Sequence, residues 1–195
     1  MFETIFDLET KKFFDETGTN NPADLGVSIV SLYFREVGGK GEMLSFFEKD
    51  FETMWKYFRD ADRIIGFNSK NFDIPVLKPY SPSDFADLPH FDILEKVKDE
   101  SGHRVSLNRI AKDTLGNLKN DNPANAIVYW QEGTPESLQK LQTYCEQDVL
   151  LTRDIYDFAL KNKYLKFTDY WNNPRTLEVD FSYPAELSKI QTSLF

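Results

Sequence analysis

The chain predicts a mixed-sheet α/β domain. Strand-like segments joined by tight turns come first, and later strand-like segments alternate with helical ones. A length of 195 residues suits one core, and 41% hydrophobic and 15% aromatic content is enough to fill it.

The elements follow in order. Residues 4–8 (TIFDL) are a short apolar strand, and residues 24–35 (DLGVSIVSLYFR) are a longer one. Gly38, Gly39 and Gly41 mark a turn before a third strand over 42–47, so the fold opens with a three-strand antiparallel meander. Residues 50–60 are helical, with Phe51, Met54, Trp55 and Phe58 on one face. Residues 63–67 (RIIGF) have the composition of a fully buried strand, and 72–78 open a short helix.

A loop rich in Ser, Pro and Asp covers 79–89, and 91–99 combines a strand end with a helix. Ser106 is the expected N-cap of a helix over 107–115, closed by Gly116. Residues 117–125 are a polar loop. Thr134-Pro135 starts the longest helix, which runs to about Lys161. Residues 164–182 are aromatic and irregular with an edge strand over 176–181, and the last dozen residues are a tail. The expected organisation is a domain over 1–162, an aromatic extension over 163–182 packed on it, and a tail over 183–195.

Composition excludes several classes. Lys and Arg number 23 and Asp and Glu number 32, a net charge of −9, so this is no histone-like coat or polybasic phosphate binder. A nuclease stays compatible, because its site is itself acidic. The single cysteine, Cys145, excludes an internal disulfide framework or a multi-cysteine zinc site and fits a reducing cytoplasm. No apolar run reaches membrane-span length, and the N-terminus has no signal-peptide core.

Three segments carry carboxylates where a core pattern does not call for them. Asp7 and Glu9 stand two apart at the end of the first strand and so share a face. They form either a solvated strand end or one half of a cation site. In Asn68-Ser69-Lys70-Asn71-Phe72-Asp73, Asn68 is a turn residue or a substrate contact. Asp73 is a charge favourable to a helix N-terminus or a ligand.

On the long helix, Leu141, Tyr144, Cys145, Asp148, Leu151, Thr152, Ile155, Phe158 and Ala159 form one stripe. An aspartate there calls for a core donor such as an Arg, or for a metal. Taken together, Asp7, Glu9, Asp73 and Asp148 match the charge of two Mg²⁺ or Mn²⁺ ions. Hard oxygen donors suit those ions, and such a pair is the apparatus of in-line phosphodiester cleavage. Tyr144, one turn before Asp148, is placed to orient the attacking water.

These residues also carry a resemblance. FDLET (Asp7, Glu9), GFNSKNFDIP (Asn68, Asp73) and YCEQD (Tyr144, Asp148) resemble, in order, the three exonuclease motifs of the DEDD (DnaQ-like) superfamily. The Tyr-x-x-x-Asp spacing is similar to the tyrosine branch, DEDDy; where the histidine branch has its His, this chain has Thr143. SLNRIAKDTLG (106–116) resembles the helix between the second and third motifs of family-B polymerase exonuclease domains. The likeness extends to stand-alone YprB-type proteins and covers roughly residues 1–162.

The resemblance implies an α/β, RNase H-like mixed sheet with the antiparallel meander first and helices on both faces. It implies a 3′–5′ exonuclease acting on single-stranded or frayed DNA ends. Asp7, Glu9, Asp73, Tyr144 and Asp148 would be catalytic, and the four carboxylates would hold two metal ions. With no polymerase portion following, a stand-alone nuclease or trans-acting subunit is expected.

Substrate contacts are less marked. Asn68 and Phe72 are assigned to substrate, while Phe72 and Phe67 suit either base stacking or core packing. Lys70, Arg104, Lys112 and Lys119 suit phosphates or simple solvation. His90 and His103 have no partner pattern. The C-terminal Gln191-Thr192-Ser193-Leu194-Phe195 resembles the bacterial sliding-clamp peptide QL(S/D)LF, with Thr192 in place of Leu. It implies a bacterial or bacteriophage source and a clamp pocket filled by Leu194 and Phe195; the alternative is a tail that packs back or frays. An exoribonuclease with the same site and a non-catalytic replisome adaptor are the rival readings.

Overall fold

The computed structural model describes residues 1–116 and 124–184. The elements in chain order are β1 (Phe2–Thr10), α1 (Phe14–Thr17), β2 (Val27–Glu36), β3 (Glu42–Phe46), α2 (Phe51–Arg59), β4 (Arg63–Gly66) and α3 (Asp73–Leu77). Then follow β5 (His90–Asp92), α4 (Ile93–Ser101), α5 (Leu107–Leu115), α6 (Ala124–Glu132), α7 (Pro135–Asn162), β6 (Tyr164–Thr168) and β7 (Pro174–Glu178).

The main sheet has the order β3-β2-β1-β4-β5. The first three strands are the expected antiparallel meander, and β4 and β5 join parallel to β1. Parallel pairing requires a crossover, and α2 supplies the one between β3 and β4. β1 is the central strand and extends further than the apolar run 4–8, because β2 pairs with it from Phe2 to Thr10.

Both faces of the sheet are covered. Phe6 and Leu8 of β1 point into a cluster with Met54 and Phe58 of α2 and Val76 of α3. Ile5 points the other way, into a cluster with Ile93 and Val97 of α4, Ile110 of α5, and Val149 and Ile155 of α7. The period-2 alternation of β1 therefore assigns Asp7 and Glu9 to the α7 face. A third, smaller cluster joins Ile29 of β2, Ala126 of α6, and Leu141, Tyr144 and Cys145 of α7.

The caps define the helices. The Thr134 side chain accepts from the Ser137 backbone N–H, Pro135 follows, and Lys163 closes α7 in the left-handed region. Ser106 occupies the N-cap of α5 without its side chain bonding, and Gly116 closes that helix at φ 70°.

Two readings of the sequence need correction. Residues 164–182 contain two strands: β6 and β7 form an antiparallel hairpin separate from the main sheet, so the strand expected over 176–181 runs over 174–178 and is no edge of that sheet. Leu165, Phe167, Val179 and Phe181 are buried in the α7-side core and hold it there. α6 is a helix that patterning left unassigned after the polar segment. The tail expected over 183–195 lies outside the described residues from 185 onward, as does the stretch 117–123.

Candidate active site

The site forms where β1 ends under α7. Asp7 and Glu9 flank Leu8 on β1, and both are half-buried. The register between β1 and β2 shifts between Glu9 and Thr10, a local break in the ladder where bulges re-aim side chains.

Cys145 of α7 is fully buried above them, and its thiol donates to the Asp7 carbonyl at 3.5 Å. One oxygen from each of Asp7 and Glu9 and the Cys145 sulfur lie within 4.8 Å of one another. Burial pushes the Cys145 thiol well above its ordinary range, and the charges of Asp7, Glu9 and Asp148 push it further. The thiol stays protonated, so the donor set around it is carboxylate oxygen. Asp148 lies three residues along α7 and is half-buried, and its charge reaches the same thiol. Tyr144, one turn earlier, is buried in the third cluster.

Asp73 arrives from the opposite side as the first residue of α3. It is 4% exposed. Burial raises its carboxyl to about 7. Its own amide pulls against that, Asp92's charge adds to it, and the Leu8 backbone amide pulls it down. The Leu8 amide lies between Asp7 and Glu9 on β1, so Asp73 is set against the same strand end. Thus Asp7 and Glu9 gather at Cys145, the charge of Asp148 acts on the same thiol, and Asp73 is set against Leu8. Four carboxylates with no soft ligand fit hard divalent cations such as Mg²⁺ or Mn²⁺.

The approach to this point is built by a tight turn after β4. A side chain at Gly66 would come within 2.5 Å of the Ser69 Cβ, so glycine is needed for the turn to close. Asn68 sits at φ 66°, in the left-handed region that asparagine tolerates. Its N–H donates to Asp92 (2.8 Å), and its Oδ1 accepts from Arg104 (2.8 Å). Asn68 is therefore a turn residue that also presents a polar atom.

Phe72 is half-buried, with its ring against Phe14 at 6.4 Å. With Glu9, Phe13, Phe14 and Ile127 it lines a cavity of about 290 Å³ beside the carboxylates. Phe67 packs against the α7-side core. Lys70 is bound to Glu95 at 2.6 Å. His90 is bonded through Nε2 to the Phe85 carbonyl and takes no part in the site. A separate cavity of about 890 Å³ lies behind α3 around Lys70, Lys78 and Phe85, away from Asp7 and Glu9.

A profile of the RNase H superfamily matches residues 4–160, the stretch that carries every one of these carboxylates. The chain belongs to the RNase H superfamily. This RNase H-superfamily chain is 28% identical over 177 residues to the DNA polymerase delta catalytic subunit of Candida albicans, covering 70% of the chain and 17% of that protein. It is 26% identical over 193 residues to the same subunit of Schizosaccharomyces pombe, covering 80% of the chain and again 17% of that protein. The chain thus spans about a sixth of the length of these curated relatives.

The fold is shared with the family B DNA polymerase of the archaeon Pyrobaculum calidifontis. That match has a TM-score of 0.59 and 20% identity, and it covers 82% of this chain and 24% of that one.

Two residues of this candidate site escape sequence patterning. Cys145 is read as the lone cysteine and as part of a stripe, yet its sulfur lies within 4.8 Å of an oxygen of both Asp7 and Glu9. Asp92 is 1% exposed and accepts from the backbone N–H groups of Asn68, Lys70, Leu94 and Glu95. It caps α4 and holds the Asn68 turn at the same time. The Asp92-x-x-Glu95 spacing is the signal that points to its capping role.

Among the described residues, no helix is long and apolar enough to cross a membrane. Lys119 and the clamp-like Gln191, Ser193, Leu194 and Phe195 lie outside the described residues.

Proposed function

We propose that the chain is a metal-dependent nuclease of the DEDDy type that removes nucleotides from DNA 3′ ends. The observation that carries this reading is the gathering of Asp7 and Glu9 beside Cys145, with the charge of Asp148 acting on the same thiol and Asp73 set against Leu8. The similarity to polymerase delta catalytic subunits supports DNA as the substrate.

Asp7, Glu9, Asp73 and Asp148 would hold two Mg²⁺ or Mn²⁺ ions. When bound, such ions supply a nucleophile at neutral pH and stabilise the leaving oxygen of an in-line displacement. Tyr144 orients the attacking water from one turn before Asp148, by analogy with the motif order. Asn68 and Phe72 contact the terminal nucleotide, Phe72 offering a ring to stack on its base. Without bound cations, four carboxylates at one strand end repel the phosphate they must meet.

Recruitment to a bacterial-type sliding clamp through Gln191, Ser193, Leu194 and Phe195 belongs to the same proposal and rests on the peptide alone. A tether would raise the effective concentration of an acidic enzyme at its substrate. Deleting 191–195 is expected to abolish measured clamp affinity.

The central test is a cleavage ladder. The protein is incubated with 5′-labelled single-stranded DNA and matched RNA in Mg²⁺ or Mn²⁺, beside Asp7→Ala. The expected result is stepwise shortening of the DNA from its 3′ end, absent in the variant. Shortening of RNA alone would make the protein an exoribonuclease. Cleavage of neither, with no two-site Mn²⁺ binding that Asp73→Asn and Asp148→Asn abolish, would make it an adaptor.

A further inference from the structure

Resting on that nuclease reading, we infer that the tip of the β6–β7 hairpin and the exposed face of α5 form a platform for single-stranded nucleic acid leading away from the carboxylates. Tyr170 and Trp171 are 83% and 76% exposed, the two largest exposures among large hydrophobic residues described. Their rings stand perpendicular to each other, 6.3 Å apart. Two aromatic rings largely in water contribute little to folding and leave their faces open to a ligand.

The tip that carries them is fixed. Asp169, 5% exposed, accepts from the backbone N–H groups of Trp171 and Asn173 (both 2.9 Å) and from Arg175 Nε (2.8 Å). The rings therefore project from a held turn, and a ligand meets them without first ordering the loop.

The hairpin is continuous with the site. The Phe167 ring lies 5.8 Å from His103, and the next residue, Arg104, donates to Asn68 in the turn that leads to Asp73. Lys166 of β6 exchanges two hydrogen bonds with Thr114 of α5, at 2.8 and 2.9 Å, which holds strand and helix side by side. Charge follows the same path. Residues 102–112 contain Arg104, Arg109 and Lys112 and no carboxylate, in a chain of net charge −9. All three are exposed, as is Lys166, and none forms an ion pair among the described residues.

Cations spaced along a path that ends in exposed rings suit a flexible polyanion with bases. The cations meet phosphates, and the rings stack on bases of any sequence. The hairpin lies beyond residues 4–160, the part matched to the RNase H superfamily, so it is an addition to that core.

The test uses the full chain with Ca²⁺ in place of Mg²⁺ to prevent cleavage. Binding of oligothymidylate and oligouridylate of about 15 nucleotides is followed by anisotropy, with stacking read as quenching of Trp171 fluorescence. Tyr170→Ala/Trp171→Ala is expected to weaken binding about tenfold or more. Tyr170→Phe/Trp171→Phe, which keeps the rings, is expected to bind within about threefold of wild type. Arg109→Ala/Lys112→Ala is expected to flatten the dependence of log affinity on log salt by about 0.7 per lost phosphate contact.

Wild-type affinity in the alanine pair overturns the inference and leaves the rings as a protein contact. Failure of the wild type to bind either oligonucleotide overturns it too. Weakened binding in the alanine pair supports the platform even where the wild type gives no cleavage ladder, so the two readings fail separately.

Discussion

Asp73 is the most deeply buried of the four site carboxylates, and its energetics set it apart. Burial raises its carboxyl to about 7 in the metal-free protein, whereas in the unfolded chain it titrates near 3.8. Between those values the folded state holds the extra proton, so folding stability falls as pH rises from about 4 to about 7. The cost is roughly 1.4 kcal/mol for each pH unit of that window. Asp73→Asn removes the charge and keeps the shape. In chelator-treated protein, urea unfolding at pH 8 is expected to show the variant more stable than wild type, with the gap closing towards pH 4. An equal gap at both pH values would mean that the buried charge is not its source. Under the proposed function the same substitution is expected to abolish cleavage, because Asp73 is one of the proposed metal ligands.

At the scale of elements, α7 links the site to the rest of the core. Its buried residues run from Ser137 to Ala159, and Tyr144 and Cys145 fall among them. Its start is fixed by the Thr134 side chain accepting from the Ser137 amide at 3.1 Å. Thr134→Ala is expected to cost about 1 kcal/mol. The check is a lower urea midpoint with an unchanged slope and with Mn²⁺ affinity retained, because the cap lies almost four turns before Asp148.

The motifs were legible because their logic is local. A spacing of two on β1 and of four on α7 places side chains on one face whatever the rest of the chain does. Other elements formed for reasons that local pattern does not carry. α6 has a run of β-branched and aromatic residues, Ile127 to Trp130, and is helical because Ala126 and Ile127 bury. The β6–β7 hairpin is held by Leu165 and Phe167 meeting the α7-side core.

The buried polar cluster at the other end of β1 is longer-range still. Glu3 is fully buried and accepts from Arg35, Tyr156 and Tyr183, and Arg63 donates to the Tyr156 hydroxyl and to the Phe181 carbonyl. These partners lie up to 180 residues apart in sequence. That cluster ties the segment after β7 to the start of β1, and no periodicity marks it.

For the whole molecule, charge and fold pull in opposite directions at the site. The net charge is −9, and four carboxylates gather where β1 meets α7 and α3. Like charges brought together by folding reduce stability, and cations that bind only the folded arrangement restore it. At a free concentration of about 100 times the dissociation constant, the gain is about 2.7 kcal/mol. Mn²⁺ is therefore expected to raise the Tm of the wild type by several degrees in a concentration-dependent manner. Asp7→Ala/Asp148→Asn removes proposed ligands from β1 and α7 together and is expected to lose the Mn²⁺ response. Its metal-free Tm is expected to match or exceed that of wild type, because two repelling charges are gone. A variant that kept the full Mn²⁺ shift would place the cation elsewhere on this acidic surface, and the proposed site would fall with it.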